Sequence, residues 1–87
     1  MKISRRENAR REISRTIFTE YARQINKAKQ PIELEKIIYN VVFDERLTYG
    51  DCMQVTGIAR YHLHEMRRRI ADEQHRIMCR NIARIEA

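Results

Sequence analysis

The chain has 87 residues, with 18 Lys or Arg against 12 Asp or Glu and a formal charge of +6. That length supports one domain with a small core. Fourteen arginines against four lysines favour planar, bidentate phosphate recognition over a general solubility role.

Other classes are excluded by what is missing. Cys52 and Cys79 are too few and too far apart for a disulfide framework. No run approaches the roughly 20 apolar residues of a membrane span. Met1-Lys-Ile-Ser-Arg-Arg leads into more charge and not into an apolar signal core, so a cytoplasmic protein with reduced thiols is expected. Only one Pro and two Gly interrupt a composition rich in helix formers, which predicts an all-α fold with no wing hairpin.

The first predicted helix runs from about Ser4 to Lys29. Ser4 and Glu7 have the spacing of a capping box. Ile13, Ile17, Tyr21, Ile25 and Ala28 form a stripe in steps of three and four, and Phe18 and Ala22 widen it. Arg5, Arg6, Arg10, Arg11 and Arg15 crowd the first three turns. They suit a phosphate clamp, a solvated face with pairs such as Glu7–Arg11, or an arginine-rich peptide that folds on an RNA hairpin.

Pro31 predicts a break and a new helix start, since proline is tolerated in a first turn and not within a helix. The second helix is predicted from Pro31 to about Glu45, with Leu34, Ile37, Ile38, Val41 and Val42 facing the core. The third is short, about Tyr49 to Thr56. Thr48 sits at its cap position and Asp51 three residues on. Gly57 then reads as a turn, where a left-handed residue is cheapest as glycine. Ile58 is the apolar plug after it, and the fourth helix begins near Ala59 or Arg60. Leu63, Met66 and Ile70 line one side of that helix. It either continues to the end of the chain or bends near residues 71–74.

Charge follows the same division. Residues 1–30 carry nine basic and three acidic groups, residues 31–58 two and five, and residues 59–87 seven and four. The predicted organisation is a single helical domain: a basic N-terminal helix (1–30), a trihelical helix-turn-helix core (31–70) and a C-terminal helical extension (71–87). Apolar stripes on both terminal helices exceed what so small a core can cover. A homodimer through Ile13, Ile17, Tyr21, Ile77, Met78 and Ile82 is therefore expected, with folding back on the chain's own core as the alternative.

Residues 48–70 resemble the helix-turn-helix of bacterial transcription regulators, through Val55, Thr56, Gly57, Ile58, Leu63 and Met66. Met53 and Ala59 depart from the usual Ala and Ser/Thr of that motif. The resemblance implies sequence-specific binding to double-stranded DNA. Arg60, Tyr61, His64, Glu65 and Arg68 would face base edges, while Arg67 and Arg69, with Arg5, Arg6, Arg10 and Arg11, would hold phosphates. A helical module that binds a partner protein is the second expectation, and RNA binding through the N-terminal arginines the third. His75 and Cys79 stand four apart but lack a paired CxxC for zinc. No Gly-rich phosphate loop or nucleophile motif occurs, so neither catalysis nor a cofactor is expected.

Overall fold

A computed structural model describes residues 4–86, and every regular element in that range is helical. The described residues form three helices: α1 (Arg5–Lys27), α2 (Pro31–Val42) and α3 (Tyr49–Glu86).

Helix α1 starts where its cap allows. The Ser4 hydroxyl accepts the Glu7 N–H at 3.2 Å. The helix ends at Ala28, whose extended backbone leads into the pre-proline residue Gln30 at φ −125 and ψ 145. Pro31 opens α2. The Glu33 carboxylate accepts the N–H groups of Lys29 and Gln30, which satisfies donors that the start of a helix leaves free.

Helix α2 stops at Val42, three residues before the predicted end. The reason lies in Asp44. Its carboxylate leaves the helical path to accept from Tyr21 on α1 and from Arg46. Leu47 then turns back into the core, donating its N–H to the Asp44 carbonyl.

The core joins the second half of α1 to α2 and the first half of α3. Ile17, Tyr21 and Ile25 meet Leu34, Ile37 and Val41, together with Leu47, Val55, Ala59 and Leu63. Helix α1 is thus part of the folded unit, not an appendage to a core of residues 31–70. Ile17 and Tyr21, expected at a dimer contact, are buried inside this core. Val42 faces out, against expectation.

The turn predicted at Gly57 does not form. Helix α3 runs unbroken for 38 residues, and no described residue has a positive φ. A glycine inside a helix costs only about 1 kcal/mol relative to alanine. Here Val55, Thr56, Ala59 and Leu63 all fall on one buried face across Gly57, so breaking the helix would expose that face. Ile58 points outward instead of plugging a turn. The predicted third and fourth helices are one.

The length of α3 sets the outline of the molecule, 74 × 20 × 17 Å. Its first half packs on α1 and α2. Every described residue from Arg67 onward is exposed, so the second half is a helical arm beyond the core.

Candidate nucleic-acid interface

Two polar clamps fix how the helices present their outer faces. In the first, the fully buried Ser14 of α1 meets the start of α3. Its hydroxyl accepts the Thr48 N–H at 2.8 Å and donates to Asp51 Oδ2 at 2.6 Å. Thr48 Oγ1 in turn accepts the Asp51 N–H at 3.3 Å, the expected cap. Ser14 takes the reciprocal half of the capping box that Asp51 was expected to close on Thr48. The serine hydrogen bond, helped by Arg15, holds the Asp51 carboxyl below its usual range.

The second clamp lies at the α2–α3 connection. Arg46 grips Asp44 with two side-chain bonds, Nε to Oδ1 at 2.9 Å and Nη2 to Oδ2 at 2.7 Å. The Tyr21 hydroxyl also donates to Oδ2, at 2.7 Å. The arginine contact, together with the tyrosine bond, drives the Asp44 carboxyl well below the ordinary carboxylate range. Burial, reinforced by the neighbouring carboxylate, raises Tyr21.

The first clamp lays the N-terminal turns of α1 beside the start of α3. Two open grooves result. One, of about 320 Å³, is lined by Glu7, Arg10, Arg11, Leu47, Thr48 and Tyr49. The other, of about 530 Å³, is lined by Arg11, Arg15, Thr48, Tyr49, Gly50 and Asp51. Arg11 borders both. Arg15 is engaged: it bonds Asp51 at 3.1 Å and lies over the Phe18 ring, 4.6 Å from its centroid. The grooves set arginines on one wall and the positive end of a long helix on the other, with the Glu7 carboxylate among the arginines and the Asp51 carboxylate at the helix end bonded to Ser14 and Arg15.

Helix α3 continues this surface. Gly50 and Gly57 are two turns apart, so they stack on one outward face, and a methyl group built at either meets nothing within 4 Å. Tyr61, His64 and Arg68 follow on that face, with Arg60 on its edge; all are exposed. The four thus share one outer surface, as their spacing predicts. They lie in the middle of a continuous helix, however, and not in its first turns. The residues that open the helix, Tyr49 and Gly50, were not identified from sequence as contact residues.

Other expected contact residues are occupied. Arg67 pairs with Glu35 of α2, bridging two helices. Arg68 pairs with Glu65 at 3.0 Å, and Glu65 is half-buried. Arg69 points to a different side of α3, toward Asp72, Glu73 and Arg76. Arg5, Arg6, Arg10 and Arg11 are all exposed on α1. Cys79 and His75 approach to 3.6 Å on the exposed arm, whereas Cys52 is half-buried and faces the Val41 carbonyl, so these thiols do not converge. Among the described residues no three His, Cys, Asp or Glu side chains group as a metal site.

Ser14 and Asp44 were also missed. Ser14 was legible in principle, because it stands three residues before Ile17 on the buried stripe. Its partners, 34 and 37 residues away, were not.

The chain matches no protein-family model, and no curated protein or solved structure is significantly similar to it.

Proposed function

We propose that the protein binds double-stranded DNA and regulates transcription as a homodimer. In this reading α2, residues 43–48 and the first half of α3 act as the helix-turn-helix unit, with α3 as the groove-facing helix. The observation that carries it is the bare face of α3. Gly50 and Gly57 expose its backbone in a line, beside Arg11 of α1 and ahead of Tyr61, His64 and Arg68. Neither glycine is required by a positive φ or by a close neighbour inside the fold. Both favour close approach of a large ligand to the helix.

The roles follow from exposure. Arg60, Tyr61 and His64 face base edges, joined by Arg68 once it exchanges Glu65 for DNA. Arg10 and Arg11 hold the backbone, with Arg5 and Arg6 further along the flanking phosphates. Arg67 buttresses α3 against Glu35, which keeps the reading face in register with the core.

The test is anisotropy of a labelled random-sequence duplex at about 50 mM and about 200 mM salt. Binding is expected at the lower salt and steep loss at the higher, because each phosphate contact adds about 0.9 to the salt slope. Arg10→Gln with Arg11→Gln flattens that slope by roughly two. No binding at the lower salt rejects the reading, and preference for hairpin RNA over the duplex reassigns the N-terminal arginines.

A partner protein is the second reading, favoured by a separate observation. The outer side of α2 exposes Ile32, Tyr39, Val42 and Phe43, with the two rings 4.9 Å apart. Such an apolar patch is a surface that protein partners cover.

A further inference from the structure

The arm of α3 carries an apolar seam that the described residues of its own chain leave bare. Ile70, Ile77, Met78, Ile82 and Ile85 are exposed, from 40% at Ile70 to 84% at Ile85. The seam continues the buried face of the first half, Ala59 and Leu63, past the end of the core. It is one helical face that loses its cover partway along.

We propose that this arm pairs antiparallel with the arm of a second copy, about a two-fold axis between Ile77 and Met78. The homodimer of the DNA-binding reading would then be built by the arms alone, and the reading faces would lie outside the contact.

Three features select this occupant and this direction. First, the central line of that face, which Ile82 flanks, is symmetric. Ile70, Gln74, Ile77, Met78, Asn81 and Ile85 follow one another in steps of four, three, one, three and four, the same from either end. Antiparallel pairing sets Ile70 against Ile85 of the second copy, Ile77 against Met78, and Gln74 against Asn81. The last two are amides that can hydrogen-bond across the seam and fix its register.

Second, the flanks differ. Ala71 and Ile82 border the central line on the side of Met78, and Glu73, Arg80 and Arg84 border the other side. In an antiparallel helix pair each flank faces its own equivalent. Ala71 then meets Ile82, and Glu73 falls between Arg80 and Arg84 of the second copy. A parallel pair would set the apolar flank against the charged one, leaving Glu73 only Arg76 of its own helix, at 3.8 Å, and the arginines against methyl groups.

Third, the polar groups that do not fit a seam point away from it. Asp72, His75 and Cys79 lie on the outer side of the arm. The arrangement places the two three-helix heads at opposite ends of the paired arms, with their Gly57 positions about 60 Å apart at 1.5 Å per residue.

The test uses the full chain without DNA, so its outcome is separate from that of the DNA reading. In a Cys52→Ser, Cys79→Ser background, Ile70→Cys and Ile85→Cys are made singly. Mixed and oxidised, the two variants are expected to form a heterodisulfide, while neither alone forms a homodisulfide. Homodisulfides from each variant alone indicate a parallel pair and overturn the proposal. Sedimentation equilibrium provides the second measurement. The unmodified chain is expected to be dimeric at tens of micromolar, Ile77→Glu monomeric with unchanged helical circular dichroism, and Glu73→Arg weakened at least tenfold. Pairing that survives Ile77→Glu, or a monomeric unmodified chain, refutes it.

Discussion

The Tyr21 hydroxyl donates to Asp44 Oδ2 across 2.7 Å, tying the middle of α1 to the connection between α2 and α3. The two residues are 23 apart in sequence, and the bond closes the chain at the point where α2 gives way to α3. Arg46 holds the same carboxylate from the solvent side.

This clamp makes stability depend on acid. The Asp44 carboxyl is depressed in the folded chain, first by Arg46 and also by Tyr21. A group depressed on folding stabilises the fold above its unfolded pKa, near 3.9, and that contribution disappears as pH falls toward its folded value. Asp51 acts in the same direction through Ser14. Thermal melts from about pH 6 down to about pH 2 are expected to show falling Tm below about pH 4. Asp44→Asn lowers Tm at neutral pH and shows a smaller drop on acidification. An equal acid-induced drop in both proteins would remove Asp44 from the account.

Ser14 is a sensitive position despite its size. Ser14→Ala leaves the Thr48 N–H without its acceptor and Asp51 without its closest donor. An orphaned buried donor costs roughly 1–3 kcal/mol, more than the lost methylene-sized volume at that site suggests. Urea unfolding followed by circular dichroism measures it. A change within error of zero would mean that water replaces the hydroxyl.

Gly57 distinguishes a continuous helix from a turn by the sign of one substitution. The added methyl group meets open space, so Gly57→Ala is expected to raise stability by about 1 kcal/mol. At a left-handed turn the same change would destabilise. Chemical denaturation reads the sign directly. If the bare face also admits DNA, Gly57→Leu should weaken binding while leaving the fold intact.

Base and phosphate roles separate by their dependence on sequence. With a duplex selected from a random pool, Arg60→Ala is expected to cost about 1–3 kcal/mol on the preferred site and little on random DNA. Arg11→Ala weakens both alike. Equal losses for the two variants on both duplexes would dissolve the distinction.

Much of the fold was legible locally. Ser4 caps α1, Pro31 opens α2 and Thr48 caps α3, because each depends on backbone groups within a few residues. The buried stripes of Ile17–Tyr21–Ile25 and Leu34–Ile37–Val41 follow the helical period. The site was less legible. Spacing puts Arg60, Tyr61, His64, Glu65, Arg67 and Arg68 on the side away from the apolar stripe, yet Glu65 is half-buried and Arg67 meets Glu35, a carboxylate that only folding brings within reach.

The chain's own pattern of caps, proline and apolar spacing determined that it is helical, where α1, α2 and α3 begin and which sides of them are apolar. Whether Gly57 turned or continued was decided by tertiary structure. A glycine permits both, and the choice rests on whether the apolar faces before and after it are covered by the same neighbours. Val55, Ala59 and Leu63 are, so the helix continues. The same reason separates Ile17 from Ile77. Both belong to helical stripes, but the return of the chain at Pro31 brings α2 and α3 against the first and none of the described residues against the second.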